Sequence, residues 1–296
     1  MRVLAIIVSY NFEPWMERCL GSLQASEYPV DVVVVDNYSS DRTVELIERS
    51  YPWVRLLQNG KNLGFGRANN IAMDIALREG YDAVFLVNQD AWVMPAALGA
   101  LVAAAEKNPS CGIISPVHLA GDGENLDFGF AHYAGVGDVR QLPVAELVTV
   151  PFVNAAFWLV PTAVLKKVGG FSSLFYHYGE DIDFVNRLRF HKLKVAYVPA
   201  ARACHDRENR AVTHAAFLRS EYVFHLSECA NINYTLPRAV AYGLLAVVKK
   251  SLVQLCRGNS GLSKDYFAMF VRLVARWGSI ARCRKQCKRV APNFLG

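Results

Sequence analysis

Three polar side chains directly follow an apolar run near the middle of the chain. Residues 83–87 are continuously apolar, and Asn88, Gln89 and Asp90 come next. Such a run predicts a strand buried on both faces, and open α/β sheets bind ligands at the carboxyl ends of their strands. Asp90 is therefore a candidate metal ligand. Aspartate is also common as a helix cap or turn residue, so both interpretations stay open.

A second acidic cluster follows another predicted strand, at residues 31–35. Asp36 comes directly after the strand, where a carboxylate can accept hydrogen bonds from a base or a ribose hydroxyl. Asp41 lies among serine and threonine residues and is better explained as a helix cap. Capping is also the alternative for Asp36.

Paired glycines, Gly64 and Gly66, precede a predicted helix that begins near Arg67. Glycine lets backbone amides approach an anion at a helix N-terminus. The spacing is not that of a dinucleotide fingerprint, because Asn69 stands where the third glycine is required, and no Walker lysine pattern occurs.

Carboxylates are concentrated at Glu180, Asp181 and Asp183. Acidic residues in a first helical turn are stabilised by the helix dipole, so a well-capped helix explains them. Alternatively, the helix packs on the sheet through Ile182, Val185 and Leu188, and one carboxylate faces a cleft as a general base.

The clusters together suit a nucleotide-activated donor. One acid would bind the base, a second would hold a divalent ion at the leaving diphosphate, and a third would deprotonate an attacking hydroxyl.

Alternating strands and helices must position these clusters. Strands are predicted at 3–8, 31–35, 54–58, 83–87 and 112–116, and helices at 13–24, 43–49, 67–79 and 96–107. This order predicts a parallel, doubly wound sheet. Loops and hairpins are predicted over 118–150, a strand over 150–160, helices over 162–168 and 175–189, and a last strand over 194–198, ending near His205.

The 296 residues divide by charge. Residues 1–235 have a net charge of −5, and residues 236–296 have a net charge of +11. Seven cysteines form no CxxC pair, which indicates a reducing compartment rather than a disulfide framework. The apolar N-terminal stretch is too short for a signal peptide and is predicted as a strand.

The basic C-terminal segment contains about ten uninterrupted apolar residues before Lys249, fewer than the roughly twenty that a spanning helix needs. Residues 265–277 have aromatic and aliphatic residues at helical spacing. We interpret residues 236–296 as a basic amphipathic extension that contacts anionic lipid; the alternative is a helical pair packed on the catalytic domain. No nucleic-acid motif accompanies the charge.

The sequence resembles the inverting family-2 glycosyltransferases of the GT-A fold, especially the rhamnosyltransferase-like branch. The matching segments occur in family order over about residues 3–205: IIVSYN (6–11), VVVDNYSSDRT (33–43), NGKNLGFGRANN (59–70), FLVNQDAWV (85–93), VGGFSSLFYHYGEDIDFVNRLR (168–189) and VPAARACH (198–205). The resemblance implies a Rossmann-like, mostly parallel sheet flanked by helices, with a donor half at about 1–117, an acceptor half at about 118–235 and the helical extension after it.

The resemblance also implies roles for individual residues. Asp181 would be the catalytic base, with Glu180 beside it holding the acceptor or loop geometry. The residues implied to bind the donor are Ser9, Asp36, Asn62, Gly64, Asn88 and Asp90. Asp90 and His205 would ligate Mg²⁺ or Mn²⁺, although a surface histidine is the alternative for His205. Asn88 replaces the first aspartate of the usual DxD motif, which removes a charge. Arg202, Arg207 and Arg210 could bind diphosphate or remain solvated.

The predicted function is therefore transfer of a sugar from a nucleotide-diphosphate donor to a hydroxyl of a glycan acceptor. The acceptor would be lipid-linked and used in surface polysaccharide assembly, with the protein in the cytoplasm at the inner face of the membrane. The alternatives are a catalytically weak nucleotide-sugar-binding protein and a sugar nucleotidyltransferase. The Gly-rich, Arg-containing loop expected after the first strand of a nucleotidyltransferase is absent from this sequence. A Rossmann oxidoreductase is disfavoured by the missing third glycine.

Overall fold

The structure, a computed structural model, describes residues 1–207 and 213–295. Over these residues nine strands form one sheet. They are β1 (Val3–Ser9), β2 (Asp31–Asp36), β3 (Arg55–Gln58), β4 (Ala83–Asn88), β5 (Ala91–Val93), β6 (Cys111–Ala120), β7 (Val148–Val150), β8 (Phe157–Pro161) and β9 (Lys194–His205). Their order is β3-β2-β1-β4-β8-β6-β9-β5, and β7 pairs with β9.

The first four strands form the parallel half that the sequence predicts. β1 pairs in parallel with both β2 and β4, and β2 with β3. In this register Ser9 lies opposite Asp36, and Val8 lies opposite Asn88. The polar residues that end these strands therefore meet at one edge of the sheet.

The second half of the sheet is mixed, so the whole sheet is mostly parallel, as expected, with antiparallel pairs added to the parallel half. β8 is antiparallel to β4 and β6, whereas β6 and β9 are parallel. The single strand predicted over 150–160 is wrong: β7 ends at Val150, next to Pro151, and β8 begins only at Phe157. Proline donates no ladder hydrogen bond and so favours this interruption. The final strand, β9, ends at His205, as predicted.

Helices cover both faces of the sheet. Those of the first 207 residues are α1 (Met16–Gln24), α2 (Thr43–Ser50), α3 (Phe65–Arg78), α4 (Ala97–Lys107), α5 (Phe128–Ala134), α6 (Thr162–Val168) and α7 (Glu180–Phe190). α5 lies where loops were predicted, and Asp127 caps it by accepting a hydrogen bond from the Phe130 amide. One apolar cluster lies under each face of the sheet.

The remaining helices form a third apolar cluster together with Leu174 and Phe175. They are α8 (His214–Ala230), α9 (Leu236–Val240), a π-helical turn (Ala241–Leu245), α10 (Ala246–Cys256), α11 (Ser260–Ala275) and α12 (Trp277–Cys287). The buried Arg284 guanidinium donates to the carbonyl oxygens of Cys229, Asn231 and Tyr234. The C-terminal helices are therefore packed against α8 and the segment that follows it.

One continuous helix, Leu236–Cys256, has the length and apolar composition needed to cross a bilayer. The helix is longer than the run of about ten uninterrupted apolar residues because Lys249 and Lys250 lie within it and do not end it. That the segment does not span a membrane stays a prediction. Only 22% of its most apolar window is buried in the protein. In the structure α10 packs along α11, so one side of the helix is covered by protein.

Candidate active site

Ser9 and Asp36 lie at the carboxyl ends of β1 and β2, and both are buried. The Asp36 carboxylate accepts hydrogen bonds from Ser9 Oγ at 2.9 Å, from the Ser39 amide at 3.0 Å, and from Ser39 Oγ. The two residues lie beside the cleft described below rather than on its wall, where Tyr10 and Asn37 are found. Contact of Asp36 with a nucleotide base stays a prediction.

The prediction that Asp41 caps the helix is wrong in detail, because the N-cap of α2 is Arg42 and Asp41 instead holds the turn before it. Its carboxylate accepts hydrogen bonds from the amide and hydroxyl of Thr43, the first residue of α2, and from the Glu13 amide. Asp41 therefore fixes the β2–α2 turn, and its carboxylate is occupied by these backbone and hydroxyl donors.

A side-chain network fixes the glycine-containing loop before α3. Asn37 Nδ2 donates to Asn62 Oδ1 at 3.0 Å, and Asn37 Oδ1 accepts from the Leu63 amide at 2.8 Å. Gly64 has a φ of +81°, and an added Cβ would lie 2.2 Å from the carbonyl oxygen of Tyr176. Only glycine fits this close approach. The loop is thereby held against the 173–178 segment.

The structure brings Asn88, Asp90 and His205 together. Asp90 Oδ1 and Asn88 Nδ2 each lie 3.3 Å from His205 Nε2. The reason is strand pairing: β5 follows the turn at Asp90 and runs antiparallel to β9, with Ala91 opposite His205. Two ligand atoms on neighbouring vertices of an octahedral Mg²⁺ or Mn²⁺ site are about 3 Å apart, so the separation of Asp90 and His205 fits a shared cation.

Asp127 and Arg207 complete this corner of the site. The buried Asp127 carboxylate lies 3.9 Å from His205 Nδ1 and 3.4 Å from Arg207 Nε. His205 Nδ1 accepts a hydrogen bond from Arg207 Nε at 3.1 Å, so the arginine contacts the imidazole directly and Asp127 pairs with the arginine. Asp127 is not among the site residues predicted from the sequence. Its only signal was an aspartate before Phe128, within a stretch predicted as loop. Arg202 is exposed on β9, and Arg210 lies outside the described residues.

Glu180 and Asp181 begin α7 on the same side of the sheet. Glu180 is buried, its Oε2 has no hydrogen-bond partner within the described residues, and burial raises its pKa to about 7. Asp181 is partly exposed; burial raises the pKa of its carboxyl, and the nearby Arg207 guanidinium opposes that shift. A carboxylate with a raised pKa can act as a general base. Neither Glu180 nor Asp181 is among the residues that line the large cleft at the strand ends.

The third acid of this cluster has a structural role. Asp183 accepts from Arg187 Nε at 2.9 Å, and the buried Arg187 also donates to the carbonyl oxygens of Val168 and Gly170. Ile182 was predicted to face the sheet, which is wrong, because it is 39% exposed. The buried stripe of α7 consists of Phe184, Val185, Arg187 and Leu188, and Ile182 lies on another side of the helix.

A cleft of about 1140 Å³ connects the strand ends with the C-terminal helices. Its donor-side wall includes Asn62, Gly64, Asn88 and Asp90, so these four predicted residues line one space. Gln89 also lines it, and its side-chain amide bonds both the amide and the carbonyl of Tyr10 at the end of β1. Gln89 is not among the site residues predicted from the sequence.

The chain matches a family model described as glycosyl transferase family 2 over residues 4–169. The N-acetylglucosaminyl-diphospho-decaprenol L-rhamnosyltransferase of Mycobacterium tuberculosis is 31% identical over 254 residues, covering 74% of this chain and 82% of the relative. Rhamnosyltransferase WbbL of Escherichia coli K12 is 26% identical over 238 residues, covering 73% of this chain and 88% of the relative.

Two solved structures have a similar fold. S. aureus TarS 1–349 in complex with UDP-GlcNAc aligns with a TM-score of 0.60 at 15% identity, over 97% of this chain and 86% of that one. The mannosyltransferase PcManGT from Pyrobaculum calidifontis, in complex with GDP-Man and Mn²⁺, aligns with a TM-score of 0.60 at 17% identity, over 93% of this chain and 86% of that one. These alignments confirm the GT-A fold.

Proposed function

The chain belongs to glycosyl transferase family 2, in its rhamnosyltransferase-like branch, and on that premise we propose that it is an inverting transferase acting on a lipid-linked glycan. The donor would be a nucleotide-diphosphate sugar and the nucleophile a hydroxyl of the acceptor. One observation carries the proposal: Asn88, Asp90 and His205 converge at the strand ends, on one side of the cleft that Asn62 and Gly64 line.

The donor would lie along the carboxyl ends of β1, β2 and β4. Asn37 and Asn62 line the cleft beside the buried Ser9–Asp36 pair, so the base and ribose of the donor would bind there. The Asn62–Gly64 loop, fixed against Tyr176, would hold the sugar nucleotide.

The donor set of Asp90 and His205 suits a divalent cation, because carboxylate oxygens and a neutral imidazole nitrogen are ligands for Mn²⁺ and Mg²⁺. Arg207, which pairs with Asp127, would hold the His205 ring from the Nδ1 side. When bound, the cation would neutralise charge on the leaving diphosphate.

Asp181 would accept the proton of the acceptor hydroxyl. The hydroxyl oxygen then forms a bond to the anomeric carbon as the bond from that carbon to the diphosphate oxygen breaks, and in-line attack inverts the configuration. Burial, which raises the pKa of Asp181, makes its carboxylate a stronger base than one in water. Glu180, which is buried next to Asp181 at the start of α7, would hold the first turn of this helix in place.

The C-terminal helices supply a surface suited to a membrane. Apolar side chains are exposed on the π-helical turn, α10 and α11. They include Leu245, Leu252, Phe267 and Val271. The segment also carries the net charge of +11. Apolar insertion and attraction to anionic lipid would place the cleft near a lipid-linked acceptor on the cytoplasmic face. The described helices also pack on the catalytic body. Membrane contact and packing on the catalytic domain are therefore compatible for this segment.

A second candidate, a nucleotide-sugar-binding protein with little catalysis, is favoured by Asn88, which leaves one carboxylate in the metal-binding motif.

The test is transfer from uridine, thymidine and guanosine diphosphate sugars to synthetic sugar–diphosphate–lipid acceptors, with the anomeric configuration of the product read by NMR. Glycoside formation with inversion supports the proposal. Retention of configuration would reject the inverting mechanism. Donor binding without transfer would favour the second candidate, and release of inorganic pyrophosphate from a sugar phosphate and a nucleoside triphosphate would reveal a nucleotidyltransferase.

A further inference from the structure

The cleft continues beyond the donor-side residues into a region built by α8, α11 and the 173–178 segment. Three arginines line this half: Arg219 on α8, Arg272 on α11 and Arg276 directly after α11. The carboxylate that lines it with them, Asp265, contacts His214 at 3.0 Å. This half of the cleft is therefore cationic, although the body of the protein is mildly acidic.

Two of the arginines are arranged around one tyrosine. Arg276 donates to the Tyr222 hydroxyl at 3.0 Å and to the Leu174 carbonyl, so its position is fixed. The Arg272 guanidinium lies 4.2 Å from the centre of the Tyr222 ring. Stacking orients a guanidinium while its N–H groups remain available at the edge, which is the geometry used to bind phosphate oxygens. Arg219 and Arg272 are both exposed to solvent.

Apolar side chains adjoin this cationic region. Leu218, Leu226 and Met269 line the same half of the cleft, whereas the exposed Phe267 and Val271 of α11 do not line it. A ligand that matches both features has an anionic group joined to a hydrocarbon chain. A second nucleotide does not, because it offers no hydrocarbon for the apolar residues.

We propose that Arg219 and Arg272, with Arg276 behind them, bind the diphosphate of the lipid-linked acceptor, while the adjoining apolar side chains contact the first part of its lipid chain. This inference rests on the proposed function for the identity of the ligand as acceptor. It adds a subsite: the C-terminal helices would recognise the acceptor itself, besides any general attraction to a membrane. Binding the diphosphate there would leave the attached sugar free to reach Asp181.

The test uses farnesyl diphosphate as the probe and uncharged farnesol as its neutral counterpart. Binding is measured by calorimetry both with and without Mn²⁺, so that D90N reports on any metal-dependent binding in the donor site. The proteins are wild type, R219Q/R272Q, R282Q and D90N. Arg282 is an exposed arginine of α12 outside the cleft, so R282Q matches the chemical change at a distant surface position. We expect R219Q/R272Q to weaken farnesyl diphosphate binding at least tenfold, and R282Q and D90N to change it less than twofold. R272K, which keeps the charge but not the planar fork, should fall between.

Three results would overturn the inference. If R282Q weakens farnesyl diphosphate binding as much as R219Q/R272Q does, the binding reflects general surface charge. If D90N weakens it, the diphosphate lies in the donor site. If farnesol binds as tightly as farnesyl diphosphate, no anion is recognised. Thermal unfolding of each variant confirms that it is folded. The proposed function is tested separately by nucleoside diphosphate binding, which R219Q/R272Q should retain. If wild type binds no nucleoside diphosphate, the donor site is rejected, and the result with farnesyl diphosphate still stands.

Discussion

Asp181 is the residue on which catalysis should depend most. We expect Asp181→Asn to lower transfer by about 10³-fold, because general-base catalysis contributes roughly 10²–10⁴-fold and asparagine cannot accept the proton. Donor affinity should be unchanged, since the side-chain shape is kept. Kinetics and donor calorimetry on the same protein check this. Asp74→Asn, which removes a carboxylate that pairs with Arg78 on α3, is the control. Turnover above one tenth of wild type would refute the assignment.

Glu180 should make stability depend on pH. Its pKa is raised to about 7 in the folded protein from an ordinary value of 4.5, so the folded state holds the proton more tightly than the unfolded state. The free energy of unfolding should therefore fall as pH rises from about 4.5 to 7, by up to about 3 kcal/mol.

Glu180→Gln removes this titration. Relative to wild type, the variant should gain stability across that pH window, as measured by urea unfolding between pH 5 and 8. A difference between the two proteins that stays constant with pH would show that the Glu180 carboxyl is not desolvated as the structure describes.

At the scale of elements, the Asn62–Gly64 loop depends on glycine. Gly64→Ala would place a Cβ against the Tyr176 carbonyl oxygen and strain a residue with a φ of +81°. Because the loop must move away, nucleoside diphosphate affinity should fall at least tenfold. Gly60 in the same loop has no atom within 4 Å of an added Cβ, so Gly60→Ala should bind normally. Equal affinity of the two variants would remove this loop from the donor site.

Local patterns predict the parallel half of the sheet well, because β1, β2 and β4 are continuous apolar runs with polar residues at their ends. The antiparallel insertion of β8 between β4 and β6 could not be predicted, since pairing between distant segments leaves no local periodicity. The same limit applies to the site. Asn88 and Asp90 follow a readable strand, whereas Asp127 reaches His205 only through the three-dimensional pairing of β6 with β9.

The whole molecule combines a mildly acidic catalytic body with a basic helical end, which should bind anionic membranes. We expect the protein to sediment with vesicles containing anionic lipid and to be released by salt, because screening weakens the lipid–arginine attraction. F267E/V271E should abolish sedimentation. V144E, which places a single glutamate at an exposed valine of the catalytic body, should not. Equal binding by all three proteins would exclude α11 from the membrane contact.

The central claim, a donor site for a nucleotide-diphosphate sugar at the strand ends, is tested most directly by calorimetry. Uridine, thymidine and guanosine diphosphates would be titrated into wild type and D90N, each with and without Mn²⁺. We predict that one of them binds wild type, more tightly with Mn²⁺, and that D90N loses the metal-dependent part. Metal-independent binding would keep the donor site but remove the metal role from Asp90. If none of the three binds under either condition, the donor-site assignment is wrong.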